Sequence, residues 1–283
     1  MATFYNQATM TYRGNTTASN ITTGELIEVL SVTKTAVNAS YEPGDTITYL
    51  INIRNTGSVP ITGLTFADNL GAYSFNELTL YTLSYAADSI RYFQNGTLQT
   101  APTVVAGPPM RITDLTVPAN GNTLLVYDAA VTPYASPVSG GIITNEVTIS
   151  GNGLTPITAR ADVPASDGAI LSISKSVSPS VVTENGQLTY TFLIQNTGNT
   201  AATVNDDIIV TDTFLPVLKN ITVTWGGTTW TEGTQYTYNT ETGLWQSAAG
   251  QITVPAATYE QNSETGVWGV TPGAATLVIA GTV

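Results

Sequence analysis

The same strand pattern occurs twice in this chain. Residues 44–55 (GDTITYLINIRN) match residues 185–196 (NGQLTYTFLIQN) at an offset of 141 residues, and Thr-Gly follows each segment. Residues 30–37 match residues 171–178 at the same offset, and residues 64–70 match residues 208–214 at an offset of 144 after a small insertion. A repeat of this length indicates two copies of one domain. We therefore predict domain one at residues 29–165 and domain two at residues 166–283, each long enough to bury a core.

The local patterns predict an all-β fold. Short alternating segments are separated by Gly, Pro and Asn, and long stretches of helical periodicity are missing. Such segments are typical of β-sandwiches. We therefore expect two tandem Ig-like β-sandwich domains, preceded by an N-terminal β-hairpin.

The composition excludes several classes of function. A net charge of −12 argues against nucleic acid, since phosphate contacts need Lys and Arg. Without cysteine or histidine the chain has no disulfide, no thiol nucleophile and no Ser/His/Asp triad, so we expect no metal, no cofactor and no enzyme activity. No apolar run is long enough to span a membrane. The N-terminus does not resemble a secretory signal, so either a signal has been removed or the protein leaves the cell by another route.

Residues 1–28 are predicted to form a hairpin and a linker. Alternation places Phe4, Asn6, Ala8, Met10 and Tyr12 on one face of the first strand. We expect a turn at Gly14-Asn15, a polar strand at residues 16–22 and a linker at residues 23–28. Two strands alone are marginal in water, so this hairpin needs a sheet to join.

A second hairpin with a similar sequence closes domain one. Residues 144–150 (TNEVTIS) match residues 5–11 (YNQATMT), and a Gly151-Asn152-Gly153 turn and a polar strand follow. Domain two reaches the strand at residues 276–283 without such a hairpin. We expect an open apolar face there, which the hairpin at residues 1–28 of the next subunit would fill. A head-to-tail contact of this kind builds a filament. The alternative is a truncated chain whose ends differ from those of the natural protein.

Each domain places a lysine, an aspartate and an asparagine on inward faces. In domain one these residues are Lys34, Asp68 and Asn145. In domain two Lys175 and Asp212 are the counterparts, and the only matching asparagine is Asn6 of the hairpin. An unpaired buried charge costs several kcal/mol, so the three groups need one another.

Such a set can react to form a Lys–Asn isopeptide bond. Burial favours the neutral amine of lysine, which can attack the asparagine carboxamide. A buried, protonated aspartate would polarise the carbonyl and transfer protons as ammonia leaves. Asp68 and Asp212 would be the catalytic groups, and the bonds would join Lys34 to Asn145 within one chain and Lys175 to Asn6 between chains. A hydrogen-bonded Lys–Asp pair capped by Asn is the simpler alternative.

The motifs also resemble a known family. The matching residues are Lys34-Thr35, Gly44-Asp45, Asn55-Thr56-Gly57, Asn145-Glu146-Val147-Thr148 and residues 211–216 (TDTFLP). They resemble the tandem "conserved repeat" domains of unknown function on bacterial surface proteins, and the Lys/Asp/Asn set resembles those of bacterial pilin and adhesin domains. The resemblance implies Ig-like sandwiches and an extracellular location on the cell surface. The lack of a secretory signal would also fit an appendage of a spore surface, made inside a mother cell and released on lysis.

The sequence supports one main interpretation and leaves others open. The main one is a structural subunit of a filament made of identical subunits, without enzyme activity beyond its own cross-linking. The other is a fragment of a surface adhesin that binds a host or carbohydrate ligand. Two acidic pairs, Asp206-Asp207 and Glu42 with Asp45, could bind a hard cation but are more typical of solvated loops. The Trp-bearing turns at residues 239–245 and 262–268 are interpreted as packing elements.

Overall fold

The computed structural model describes residues 2–26, 29–151 and 153–283, and these residues form an all-β protein. The only helix among them is a single 3₁₀ turn at Val204–Asp206. The chain divides into two compact units. Unit 1 comprises Met1–Thr132 and Ile143–Val163, and unit 2 comprises Pro133–Ile142 and Pro164–Val283.

The N-terminal segment is a β-hairpin in two parts. Its strands are β1 (Ala2–Asn6), β2 (Thr9–Tyr12), β3 (Asn15–Ala18) and β4 (Thr22–Leu26). β1 pairs with β4 and β2 pairs with β3. Arg13 and Gly14 both have positive φ, 49° and 82°, as a two-residue hairpin turn requires. The turn is therefore one residue earlier than Gly14-Asn15, because the two positive φ angles fall at Arg13 and Gly14.

The hairpin extends further than predicted. Residues 23–26 of the predicted linker belong to β4, because they pair with residues 2–5 of β1. Residues 27 and 28 lie outside the described part of the chain. Between β1 and β2 the ladder is interrupted, where Ala8 N donates to Ser19 Oγ (3.0 Å) and Gln7 Nε2 donates to Ser19 O (2.7 Å).

Unit 1 contains two main antiparallel sheets. Its remaining strands are β5 (Leu30–Ala36), β6 (Thr46–Asn55), β7 (Ile61–Asp68), β8 (Ala72–Phe75), β9 (Leu78–Tyr81), β10 (Leu83–Tyr85), β11 (Arg91–Gln94), β12 (Thr97–Leu98), β13 (Val104–Val105), β14 (Met110–Val117), β15 (Gly121–Val131), β16 (Ile142–Gly151) and β17 (Leu154–Pro164). The first sheet has the order β12-β11-β15-β6-β5, with β10 also on β15, and the second has the order β13-β14-β7-β16-β17. β8 and β9 form a separate pair.

The core of unit 1 lies between these two sheets. Alternate residues of β6, β7, β15 and β16 are fully buried, as the period of a half-buried strand requires. Phe66 of the second sheet meets Tyr127 of the first edge to face, with ring centroids 6.3 Å apart. The structure is thus an Ig-like β-sandwich whose inner faces carry the predicted polar residues.

Unit 2 repeats the first sheet and only part of the second. Its strands are β18 (Leu171–Ser178), β19 (Gln187–Asn196), β20 (Thr211–Thr213), β21 (Lys219–Trp225), β22 (Thr228–Thr229), β23 (Tyr236–Tyr238), β24 (Leu244–Ser247), β25 (Thr258–Gln261), β26 (Trp268–Thr271) and β27 (Gly273–Thr282). One sheet has the order β18-β19-β27-β21-β22, and the other the order β20-β24-β23. β25 and β26 pair with each other.

The boundary between the units is less simple than the predicted break between residues 165 and 166. Residues 133–142 precede β17 in the chain but group with unit 2. Hydrogen bonds explain this: Trp268 N donates to Pro133 O (3.1 Å), and Asn199 Nδ2 donates to Pro137 O (3.1 Å). The predicted domain one runs without a break over residues 29–165. This prediction is therefore wrong for the loop at residues 133–142.

The repeated asparagines close equivalent loops in both units. Asn55 Oδ1 accepts from Gly57 N (2.9 Å) and its Nδ2 donates to Val59 O (2.8 Å). Asn196 makes the same pair of bonds, with Gly198 N (2.8 Å) and Thr200 O (2.7 Å). The Asn-Thr-Gly motif is therefore explained by loop structure.

Candidate isopeptide sites

In domain one the structure brings Lys34, Asp68 and Asn145 into one buried cluster between the sheets. Lys34 lies on β5 opposite Ile51, and Asp68 lies on β7 opposite Val147 of β16. Lys34 Nζ donates to Asp68 Oδ2, and neither side chain has any exposed surface. Asn145 on β16 is also fully buried. The pair links one sheet to the other across the core.

A fourth residue, Tyr127 of β15, connects the other three. Its hydroxyl donates to Asp68 Oδ2 at 2.6 Å. The hydroxyl oxygen of Tyr127 accepts from Asn145 Nδ2 at 3.1 Å and from Lys34 Nζ at 3.3 Å. We expected the aspartate to contact the asparagine carbonyl directly. In the structure the tyrosine hydroxyl lies between them, because β15 carries Tyr127 into the centre of the sandwich.

Sequence reasoning missed Tyr127, although a signal was present. In β15, alternation puts Leu125, Tyr127 and Ala129 on the buried face. A buried phenol usually has a hydrogen-bond partner. An inward tyrosine in the same domain as an inward Lys, Asp and Asn therefore indicates a shared polar site.

The surroundings of Lys34 favour the neutral amine. Burial lowers the pKa of Lys34 to about 8, and this shift is opposed by the charge and hydrogen bond of Asp68. The Lys34 ammonium lies over the rings of Tyr49 (4.8 Å) and Tyr127 (5.9 Å), and these contacts, like Asp68, favour the charged form. Burial and the charge of Asp68 raise the pKa of Tyr127 well above its usual value, so this hydroxyl keeps its proton at neutral pH.

The matching site in domain two is open to solvent. Lys175 Nζ donates to Asp212 Oδ2, as in domain one, but the two side chains are 38% and 18% exposed. Lys175 lies over the rings of Tyr190 (4.5 Å) and Phe214 (5.3 Å). Among the described residues, no strand covers this side of the pair.

The free edge of β20 explains this exposure. In domain one, β7 pairs with β14 on one side and β16 on the other. In domain two, β20 pairs with β24 alone among the described strands. Every residue of β18 is exposed, whereas β5 is partly buried. Between β18 and the segment leading into β20 lies an apolar groove of about 280 Å³, whose apolar lining is Leu171, Ile173, Ile194, Ile208, Ile209 and Val210.

The N-terminal hairpin carries the third predicted residue, Asn6. Asn6 is exposed at the end of β1, in unit 1, and its main-chain oxygen accepts from Thr22 Oγ1 at 3.1 Å. The apolar residues that alternate with it are exposed too, including Phe4 (60%) and Met10 (64%). Lys175 and Asp212 are partners in unit 2, whereas Asn6 belongs to unit 1.

This hairpin resembles the β16–β17 hairpin of domain one. Asn6 lies eight residues before Gly14, and Asn145 lies eight residues before Gly153. Both glycines have positive φ, 82° and 70°. The turn residue Asn152 lies outside the described part of the chain. The matched spacing places the two asparagines at the same distance from their turns.

The acidic pairs and the Trp turns have structural roles. Asp206 Oδ2 accepts from Thr203 N (2.6 Å) and Asp45 Oδ2 accepts from Glu42 N (2.8 Å), so both close local turns. No group of three metal-binding side chains occurs among the described residues. Asn239 and Asn262 each accept two main-chain N–H bonds in turns of the same form, and Trp245 is fully buried.

Comparison with known proteins gives structural neighbours only. No family model and no curated protein sequence matches this chain. The chain is similar to three β-rich surface proteins. The C-terminal domain of the Streptococcus pyogenes antigen I/II-family protein AspA is 15% identical, with 90% of this chain and 92% of that chain covered and a TM-score of 0.35. The pilus backbone RrgB of Streptococcus pneumoniae is 13% identical, with 86% and 55% covered and a TM-score of 0.35. The collagen-binding subdomain of the Enterococcus faecalis surface protein ACE is 8% identical, with 50% and 99% covered and a TM-score of 0.31.

Similarities this weak support no inference about what this chain binds or does. Among the residues that the structure describes, no helix is long and apolar enough to cross a lipid bilayer. The features of the chain that bear on its function are the two Lys–Asp pairs, the hairpin and the open edge of β20 among the described strands.

Proposed function

We propose that this chain is a structural subunit of an extracellular bacterial filament, an appendage of a cell or spore surface built from identical subunits. The N-terminal hairpin of one subunit enters domain two of the next, beside β20. The observation that carries this proposal is the match between two hairpins. The N-terminal hairpin repeats the Asn-to-Gly spacing of β16–β17, and domain two has an open edge at the place that β16 occupies in domain one.

The register of domain one defines how the hairpin would dock. Val147 lies opposite Asp68 and Ile149 lies opposite Phe66. Transferred to the repeat, Ala8 lies opposite Asp212 and Met10 lies opposite Val210, which lines the apolar groove. Met10 would then move from a 64% exposed position into that groove. Burying a side chain of this size stabilises the contact by about 2 kcal/mol.

The same docking brings Asn6 to Lys175 and Asp212. In domain one, Asn145 lies two residues before Val147 on the same face of β16. Asn6 has the same relation to Ala8. Lys175 would attack the Asn6 carboxamide and release ammonia, and each joint of the filament would become an amide bond. In domain one, Lys34 and Asn145 would form the corresponding bond within the chain. The chain would catalyse no reaction other than the formation of these bonds.

Electron microscopy and denaturing gels test this proposal together. The purified chain should form long uniform fibres, and fibres boiled in detergent should give a ladder of oligomers. The ladder should not depend on reductant, since the chain has no cysteine. Asn6→Ala should remove the ladder and leave the fibres, whereas Asn20→Ala, an exposed asparagine of the same hairpin, should leave both.

Two outcomes would contradict the proposal in different ways. A protein that stays monomeric would exclude strand donation and favour an adhesin domain. If fibres form but run wholly as monomers on the gel after boiling, assembly of subunits into a filament is retained and the covalent joint is excluded. For domain one, the mass of a monomeric chain without residues 2–26 should fall short by one ammonia, and Asp68→Ala should restore it.

A further inference from the structure

We propose that the Tyr127 hydroxyl delivers the proton that releases the amide nitrogen of Asn145 as ammonia. Tyr127 would then be a fourth reacting group of the domain-one site, beside Lys34, Asp68 and Asn145. This inference rests on the isopeptide chemistry proposed above and adds the route by which the proton travels.

The route is a continuous line of hydrogen bonds from the nucleophile to the leaving group. Lys34 Nζ donates to Asp68 Oδ2, and Tyr127 OH donates to the same carboxylate oxygen at 2.6 Å. Asn145 Nδ2 donates to Tyr127 OH at 3.1 Å. The amine that must lose a proton and the amide nitrogen that must gain one are therefore joined through two side chains.

The hydrogen-bonding capacity of the phenol fixes the orientation of the amide. A tyrosine hydroxyl has a single hydrogen, and here it is donated to Asp68. Any group of Asn145 that contacts the hydroxyl oxygen must therefore be a donor, which makes it the NH₂ and not the carbonyl. The leaving nitrogen is thus the atom that faces Tyr127.

The reaction balances along this route. Within the ion pair, Lys34 first transfers one proton to Asp68, which leaves a neutral amine and a carboxylic acid. The Nζ–Cγ bond to Asn145 then forms. The acid hydrogen of Asp68 is now donated to the Tyr127 oxygen, so the phenol hydrogen is free to turn toward Nδ2. The acid proton passes to the Tyr127 oxygen as the phenol proton passes to Nδ2, and the Cγ–Nδ2 bond breaks to release ammonia. The Asp68 carboxylate formed in this way takes one of the two protons left on Nζ. The products are a secondary amide, ammonia, a protonated Asp68 and a Tyr127 that has regained its proton.

Burial makes a protein group necessary for this transfer. Asp68, Tyr127 and Asn145 are fully buried, and Lys34 is almost so. Solvent water therefore has no direct access to the leaving nitrogen. The raised pKa of Tyr127, caused by burial and the charge of Asp68, keeps the phenol protonated and available as a donor.

Domain two differs at this position. Tyr127 lies opposite Tyr49 in the pairing of β15 with β6, and Ile279 lies opposite Tyr190 in the pairing of β27 with β19. Tyr49 and Tyr190 are equivalent in the repeat, so Ile279 occupies the position of Tyr127. The side chain of Ile279 is a hydrocarbon and cannot act as a proton donor. The Lys175–Asn6 bond should therefore form without this relay, and more slowly than the Lys34–Asn145 bond.

The test measures the rate of Lys34–Asn145 bond formation in the full chain. The chain is made by cell-free synthesis, sampled at timed intervals, and the linked and unlinked Asn145 peptides are quantified by mass spectrometry. Tyr127→Phe keeps the ring that stacks on Tyr49 (5.6 Å) and removes only the hydroxyl. It should slow the bond by about 100-fold, the usual contribution of a positioned acid. Tyr85→Phe, whose ring also lies beside Tyr127 but whose hydroxyl accepts from Ile90 N (3.4 Å), removes a hydroxyl outside the route and should change the rate by less than about threefold.

A second variant separates proton transfer from a merely structural role. Replacing Tyr127 by 3,5-difluorotyrosine keeps the ring and hydroxyl but makes the phenol more acidic, so the rate should change severalfold. A wild-type rate in either Tyr127 variant would overturn the relay while leaving the bond itself established. If the wild-type chain forms no bond at all, the isopeptide proposal fails and the relay fails with it.

Discussion

The two domains place the same lysine and aspartate in opposite surroundings. Lys34 and Asp68 are sealed between two sheets, whereas Lys175 and Asp212 are 38% and 18% exposed. The strands that bear the two lysines pair in the same register with the next strand. The difference comes from the other sheet, where β16 covers the first pair and no described strand covers the second. Whether such a site is closed therefore depends on one hairpin, and in domain two that hairpin can come from another copy.

The largest expected effect comes from removing the hairpin. A chain without residues 2–26 should form no fibres, because the face beside β20 would have nothing to receive. Adding the hairpin as a separate peptide to the intact chain should cap domain two and shorten fibres in proportion to its concentration. Electron microscopy measures both effects. Fibres of normal length from the deleted chain would show that the open site of domain two is not the assembly site.

The second effect compares the two aspartates. Asp68→Ala leaves Lys34 buried without a partner and should destabilise domain one by about 3 to 5 kcal/mol. Asp212→Ala breaks a pair that solvent reaches and should cost about 1 kcal/mol or less. Both variants are made in an Asn145→Ala chain without residues 2–26, so that neither site carries a bond and domain two stays uncovered.

Denaturant unfolding can assign each effect to its domain. All four tryptophans lie in unit 2, so their fluorescence reports domain two, while circular dichroism reports both domains. The Asp68→Ala transition should move in circular dichroism and not in fluorescence. Equal losses for the two variants would contradict the difference between a closed and an open site.

A smaller effect is the pH dependence of the stability of domain one, which contains the closed site. The pKa of Lys34 is about 8 in the folded protein and 10.5 in an unfolded chain, so the unfolded state binds more protons between these values. Lys34 should therefore add roughly 2 kcal/mol to the stability of domain one between pH 8 and pH 10. The raised pKa values of Tyr41, Tyr49 and Tyr127 act in the opposite direction, so the contribution of Lys34 is read as the difference from a Lys34→Met chain. Both chains also carry Asn145→Ala, so that no bond can form. The same pH dependence in both chains would argue against the buried amine.

Much of this architecture could be predicted from the sequence, because it depends on local alternation and on an internal repeat. The strands beginning at Leu30 and Leu171, the inward Lys34 and the hairpin at the N-terminus all follow from a period of two. The match of Asn6 with Asn145 follows from comparing two short segments of one chain.

The remaining features depend on pairing between distant strands. The position of Tyr127 beside Lys34 is set by the register of β15 on β6. The repeat predicts the open face of domain two, but the extent to which Lys175 is exposed there depends on the packing around it. The placement of residues 133–142 with unit 2 depends on hydrogen bonds to Asn199 and Trp268, far away in the sequence.

The most direct test of strand donation between subunits mixes two defective chains. Asn6→Ala can only accept a covalent joint at Lys175, and Lys175→Ala can only donate one from Asn6. Each chain alone should show no ladder after boiling in detergent. Their mixture should give a single cross-linked dimer whose digested peptide joins Asn6 of one chain to Lys175 of the other. Lys219→Ala, which removes another lysine of domain two, should behave like the wild-type chain. A mixture without this dimer, or a ladder from either chain alone, would contradict an intermolecular bond between the hairpin and domain two.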